Sequence, residues 1–333
     1  AKVFGDELIL DETELEKIKK YFETTCRPYT DNNQKQAYIP QKGGKFVNDN
    51  GTAPSVYFVD GDTTAILLPG PPKELVPLFE TKIKPFLAKF QKGVLHSINL
   101  NVFGIGESAL ECKVKDFLNR QNPTSALYAK NGEVRLRVTA LGENETAAEK
   151  MCIPTVNEIK AIIGDNIYGT NDDTLESVVV ALLLKHHKTL ATAESCTGGM
   201  LSQRITAISG SSEVFGCGVC TYQNKFKEKL LNVSGETLDE FDAVSKETAT
   251  EMANGVKKLA DSDLGVSITG FAGPTGGNEK DPVGTVYICV SHDGKNDIRR
   301  IQAAGRGRNH VRHMACQHAL DMIRRILSDI PLD

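Results

Sequence analysis

The sequence predicts an α/β protein: a C-terminal α/β/α sandwich over 171–330, a small α+β unit over 93–170, and an incomplete α/β unit over 1–92. Three observations carry this. Through the last block, helix-period stretches alternate with short β-rich runs, the pattern of a sheet covered by helices on both faces. In the middle block, Asn131-Gly132 separates two alternating runs, a strong hairpin signal. The chain has 333 residues, enough for two or three domains at roughly 100–200 residues each.

The first block offers a helix over 10–25, started by acidic residues and Thr13, and then a loop-rich stretch to Phe58. A strand, Thr63 to Leu68, runs into Pro69-Gly70-Pro71-Pro72, and a helix over 74–90 follows, with Pro77 placed in its first turn. The chain opens at Ala1 on what resembles the middle of a domain, so its beginning is expected to be missing. The second block reads strand, helix, strand, strand, helix. Val134, Leu136 and Val138 face one way, and Glu133, Arg135 and Arg137 the other. The turn Gly104-Ile105-Gly106-Glu107 in that order suggests a KH-type nucleic-acid module. A spacer or dimerisation module is the plainer reading.

In the third block Asp173 is the expected N-cap, with Glu176 at N3, of an apolar helix over 177–187. A strand follows at 189–193 and a helix at 199–208. Then come strand 214–222, helices 224–231 and 245–260, strands 264–268, 283–291 and 298–303, and helix 309–327.

Composition narrows the function classes. Hydrophobic residues make up 40% and charged residues 25%, an ordinary globular balance. A formal charge of -4 provides no global basic field, which argues against a dedicated nucleic-acid or anionic-membrane binder. No apolar run reaches the ~18 residues of a membrane span, and no signal-peptide pattern opens the chain. The eight cysteines follow no compact framework and are expected as reduced thiols in the cytoplasm.

The stretch Ala191-Thr192-Ala193-Glu194-Ser195-Cys196-Thr197-Gly198-Gly199 joins an apolar strand to a helix. Ligands of open α/β sheets bind at the carboxyl ends of strands, where the next helix presents free N–H groups. A serine there is placed for attack, and nearby N–H groups for an oxyanion. Thr197 as a plain N-cap and Ser195 as a turn residue explain the same letters, and the stretch is not a GxSxG elbow. A serine nucleophile needs a base. The block supplies His310, His313 and His318 on the last helix, and Lys225, Lys227 and Lys229 after Thr221-Tyr222-Gln223-Asn224. A lysine base must be neutral, which an ordinary lysine is about once in a few thousand at pH 7. Burial or a nearby cation is required. Glycine-dense 268–277 reads as a ligand-facing loop, Ser211 and Ser212 add hydroxyls, and Arg308 with Arg312 is spaced to hold a phosphate. Cys217-Gly-Val-Cys220 lies in a strand-like run, against redox use, and His310, His313, Cys316 and His318 lack metal-site spacing.

These residues carry a resemblance. TAESCTGG at 192–199, GSS at 210–212, TYxNxxK at 221–227, AVS at 243–245, SITGFAGPTGG at 267–277, PVGTVY at 282–287 and Arg308 with Val311-Arg312 together resemble the C-terminal domain of the CinA family, the nicotinamide mononucleotide deamidases. NNQKQAYIP, NGTAPS and LPGPPKE resemble that family's molybdopterin-binding-like first domain, with Ser55 where a glycine is expected. The middle block resembles its KH-like domain. The resemblance implies hydrolysis of the nucleotide's carboxamide to nicotinate mononucleotide and ammonia. It implies Ser195 as nucleophile, Lys227 as base and Tyr222 assisting. Substrate would be held by Glu194, Thr197, Gly198, Gly199, Ser211, Ser212, Thr269, Gly270, Gly273 and Arg308, with the oxyanion on N–H groups near Thr197 to Gly199. Gly307 stands where an aspartate is common. No metal or cofactor is implied for the amidase. The family also implies an ADP-ribose-type pyrophosphatase in a complete first domain, which would need divalent metal, and a non-enzymatic role in competence or DNA damage. The expected partner is a small nucleotide, with self-association as the family often shows.

Overall fold

The computed structural model describes residues 1–90 and 93–332. The chain divides into two compact units, Ala1–Lys92 and Gly93–Asp333.

In the first unit β1 (Leu8–Leu10) pairs antiparallel with β2 (Tyr38–Pro40), and β3 (Gly44–Phe46), β4 (Ser55–Asp60) and β5 (Thr63–Leu67) form an antiparallel meander. Helix α1 (Glu12–Thr24) is capped by Asp11, whose carboxylate accepts the Glu14 N–H, rather than by Thr13. Two short helices follow, α2 (Asp31–Gln34) and α3 (Pro72–Leu78). Pro72 sits at the start of α3, so Pro77 falls inside the helix and not in its first turn. The run then passes into a π turn, Phe79–Ile83, before α4 (Lys84–Leu87), where Pro85 has no N–H to offer the Thr81 carbonyl.

The second unit opens with β6 (Val94–Val102), α5 (Glu107–Leu118), β7 (Thr124–Ala129), β8 (Val134–Gly142) and α6 (Glu145–Ile163). A further strand, β9 (Ile167–Thr170), completes an antiparallel sheet of order β7-β8-β6-β9. At four residues β9 is too short to show a period in the sequence. Leu100, Val102, Leu136 and Val138 bury against Leu110, Val114, Val156 and Ile159 of the two helices.

Next comes a five-stranded sheet. Helix α7 (Leu175–His186) starts on Thr174, not Asp173. Thr174 and Ser177 form a reciprocal capping box, while the Asp173 carboxylate accepts the Thr170 N–H. Strand β10 (Leu190–Glu194) leads to α8 (Met200–Thr206), β11 (Phe215–Cys220), α9 (Asn224–Leu231), α10 (Gly235–Phe241), α11 (Lys246–Ala260), β12 (Leu264–Gly270), β13 (Thr285–His292), β14 (Lys295–Gln302) and α12 (Arg308–Leu327). Helix α10 is an addition to the elements legible in the sequence.

The strand order is β11-β10-β12-β13-β14, with β10, β11 and β12 parallel and β13 and β14 antiparallel. The chain leaves β10 toward β11 and returns to pair β12 on β10's other side. The crevice beyond the carboxyl ends of β10 and β12 is therefore a topological switch point. Side-chain alternation assigns each strand residue to a layer. Val266, Ile268, Val286 and Ile288 pack with Val179, Leu183, Ala315 and Leu320 on one face. Ala191 and Ala193 pack with Leu231, Met252 and Val256 on the other.

Candidate active site

Ser195 is the first residue past β10, at the switch point. Its N–H donates to the Ile268 carbonyl at 2.9 Å, so the ladder with β12 runs one residue beyond the strand. The chain then turns sharply. Gly198 donates to the Ser195 carbonyl at 3.1 Å, and Gly198 and Gly199 take φ of 58° and 91°. That left-handed pair is what the two glycines supply.

Alternation sends Glu194 and Ser195 to opposite faces. Glu194 follows Thr192, whose hydroxyl shares a hydrogen bond with Ser202 of α8. The Glu194 side chain is fully buried, and its oxygens accept from the N–H groups of Gly199, Leu201 and Ser202 and from the Ser202 hydroxyl, at 2.6–3.1 Å. It caps the start of α8 from within. It is therefore not a substrate contact, and Ser202, with no motif to flag it, is its main partner.

Ser195 continues the Ala191–Ala193 side, toward α9 and α11. Cys217 and Val219 of β11 belong to the same layer, and Thr221, next in that alternation, does too. From α9 the side chain of Lys227 enters this layer, 1% exposed, and its Nζ donates to the Thr221 carbonyl at 2.9 Å. Thr221 in turn donates its N–H to the Glu194 carbonyl at 2.9 Å. Lys227 is thus anchored one peptide away from Ser195. It makes no ion pair among the described residues. Burial pulls its pKa below the ordinary lysine value, against a smaller opposing effect from Cys196. Lys225 and Lys229 are exposed. No direct hydrogen bond joins Lys227 Nζ to Ser195 Oγ.

Around this pair several polar groups lack partners. The hydroxyls of Thr197 and Thr221, both fully buried, have none. The N–H groups expected for an oxyanion are redistributed. Those of Gly198 and Gly199 are engaged by Ser195 and Glu194, whereas those of Cys196 and Thr197 find no acceptor on another described residue. The Cys196 thiol is buried, which raises its pKa to about 12 and leaves it protonated.

The rim is tied together by arginines from the start of α12. Arg308 donates to the Gly273 carbonyl at 2.8 Å and to the Tyr222 hydroxyl at 2.7 Å. Arg312 donates to the Thr197 carbonyl at 2.6 Å. The two do not stand free as a phosphate fork; each grips a loop of the site. Tyr222 is 59% exposed at the mouth.

Other expected site residues lie elsewhere or are already engaged. Ser211 and Ser212 precede β11, and β11 runs parallel to β10, so they sit at the amino edge of the sheet. A strand of this length separates them from Ser195 by about 15–20 Å, which removes them from the substrate site. The Thr269 hydroxyl donates to the Ala243 carbonyl at 2.6 Å. A side chain at Gly270 would meet the Thr285 carbonyl at 2.6 Å, so that glycine serves strand packing. The histidines turn away. His310 and His313 contact Asn131 of the β7–β8 hairpin. His318 packs edge-on against Phe103, and burial and Arg299 lower its pKa to about 4. Cys217 and Cys220 are free thiols on a strand. Among the described residues no cluster of three or more His, Cys, Asp or Glu could hold a metal ion, and no helix is long and apolar enough to cross a membrane.

A three-layer α/β sandwich with a serine at its switch point and a buried, unpaired lysine beside it defines a class, and comparison with known proteins supplies the family. Residues 172–327 match the family described as CinA C-terminal domain, and 97–169 match the damage-inducible protein CinA KH domain. A CinA-like protein of Kosmotoga olearia is 47% identical over 330 residues, covering 98% of this chain and 79% of that protein. A CinA-like protein of Dictyoglomus thermophilum is 44% identical over 331 residues, covering 99% of this chain and 80% of that one. A crystal structure of a competence-damaged protein (CinA) superfamily protein from Klebsiella pneumoniae is 32% identical, covering 46% of this chain and 96% of its own, with a TM-score of 0.45. The chain belongs to the CinA family, whose C-terminal domain is commonly an amidase-like enzyme.

Proposed function

We propose that this protein hydrolyses the carboxamide of nicotinamide mononucleotide, releasing nicotinate mononucleotide and ammonia, with Ser195 as nucleophile and Lys227 as general base. One observation carries the reading. Lys227 is buried without a counter-ion on the same face as Ser195, and burial biases it toward the neutral form a base must have.

In this reading Ser195 Oγ adds to the amide carbon and its proton passes to Lys227. The oxyanion meets the unengaged N–H groups of Cys196 and Thr197. Lys227 returns the proton to the leaving nitrogen, assisted at the mouth by Tyr222. Ammonia departs, and water clears the acyl-enzyme by the same base. Arg308 and the backbone around Gly273 would face the nucleotide's phosphate and ribose. The experiment is ammonia release from nicotinamide mononucleotide by the purified chain. Ser195→Ala and Lys227→Ala should each lose at least about a hundredfold in turnover; full turnover in Ser195→Ala would sink the mechanism.

A further inference from the structure

We propose that the Thr221 hydroxyl relays the proton between Ser195 and Lys227; this rests on the serine–lysine reading above. Serine and lysine are not directly hydrogen-bonded. The fold places Thr221 next to both, with its hydroxyl bonded to neither in the resting structure. Glu194 and Cys220 are the last paired residues of β10 and β11, and the ladder continues, with Thr221 donating its N–H to the Glu194 carbonyl. Ser195 and Thr221 are therefore the next pair, on one face. In-register residues of neighbouring strands lie about 5 Å apart, so a change of rotamer brings their two hydroxyls into hydrogen-bond range.

Three unmet valences lie at this end of β10 and β11, none of them hydrogen-bonded to another. The Thr221 hydroxyl is fully buried and has no partner, an arrangement a folded chain tolerates where a ligand or a reaction uses the group. Lys227 carries up to three N–H donors and uses one, on the carbonyl of Thr221 itself. That bond holds Nζ within a few bonds of the Thr221 hydroxyl. Ser195 Oγ makes no hydrogen bond among the described residues. Thr197 also has an orphaned hydroxyl, but its carbonyl is held by Arg312 and not by the lysine.

The relay balances. As the Ser195 oxygen pair forms its bond to the acyl carbon, the Ser195 proton moves to Thr221 Oγ1. The original Thr221 proton moves to the Nζ lone pair, leaving threonine neutral and lysine an ammonium. The reverse sequence protonates the leaving nitrogen. Thr221 thus takes part in the proton transfer directly, without touching the substrate.

The test reads Ser195 itself, independent of any substrate. A fluorophosphonate should label Ser195, forming an O–P bond as fluoride leaves and the proton goes to Lys227, with the site read by peptide mass spectrometry. Thr221→Val and Thr221→Ala should slow labelling at least about tenfold, while Thr221→Ser restores it to within about threefold. Each variant's thermal midpoint is measured alongside, and Thr221→Ala stands in if Thr221→Val fails to fold. Folded Thr221→Val and Thr221→Ala proteins that label at the wild-type rate would overturn the relay and leave the serine–lysine reading intact. A wild-type chain that never labels at Ser195, or a Lys227→Met chain that labels as fast as wild type, would overturn that reading and the relay with it.

Discussion

The two ionisable groups buried on either side of the Ser195 turn differ in how completely they are satisfied. On the α8 face, Glu194 is a buried carboxylate with four donors. The same completeness recurs at Asp321, a buried acid that takes hydrogen bonds from Arg299, Arg324 and Arg325. On the α9 face, Lys227 has one acceptor and no counter-ion, and the hydroxyl of Thr221, whose carbonyl it holds, has no partner. A buried charge with a full set of partners fixes geometry. A buried charge without them is held at a cost in stability, and that cost is a common mark of a reacting group. On the proposed mechanism, the Glu194 cap fixes the turn that carries the reacting serine.

The largest effects should come from breaking the saturated side. Asp321→Ala would leave buried guanidinium charge without its carboxylate, and such a loss costs about 3–5 kcal/mol. Urea denaturation should show this as a lower midpoint with an unchanged slope, while ammonia release per folded molecule stays as in wild type. A smaller change is expected for Glu194→Gln, which turns one acceptor toward helix N–H groups as a donor and should cost about 1–3 kcal/mol. Because this cap also holds the Ser195 turn, turnover should fall with it. An Asp321 variant that lost turnover would break the division between architecture and chemistry, and a Glu194 variant that lost only stability would separate the cap from the Ser195 turn.

Much of the C-terminal fold was legible because its strands and helices are long and apolar, and Ser195 and Lys227 stood out through ordered motifs. Pairing was not legible. Nothing in the letters states that β11 runs parallel to β10, and that fact sends Ser211 and Ser212 to the far edge. The opposite facing of Glu194 and Ser195 follows from period-2 alternation, and counting back from Ser195 through Ala193 and Ala191 would have found it. Thr221 lies inside the TYxNxxK stretch and counts forward from Cys217 and Val219 in the same way. What hid it was its hydroxyl's lack of partners, a property of the packed structure. Helix α10 escaped because Gly235–Phe241 is short and acidic with one buried side chain, Leu238. Cap choice at α7 escaped because Asp173 and Thr174 are both good caps, and only the hydrogen bond from the Thr170 N–H to Asp173 decides between them.

The smallest predicted effect, per unit of the variable changed, probes the unsatisfied side through its pH dependence. Lys227 has its folded-state pKa lowered from 10.5 by burial. Below that lowered value both folded and unfolded chains hold the proton, and the full penalty of a buried charge is present. Between it and 10.5 the folded chain has released the proton while the unfolded chain keeps it, so wild-type stability rises with pH. Lys227→Met removes this titration, and comparing the two proteins cancels every other group. The difference in unfolding free energy, wild type minus Lys227→Met, should therefore climb from pH 7 to 10, by at most about 1.4 kcal/mol per pH unit. Denaturant titrations at each pH measure it. A difference that stays flat across that range would mean that Lys227 remains a fully charged lysine in the folded chain, and the contrast between the two faces would then be one of geometry alone.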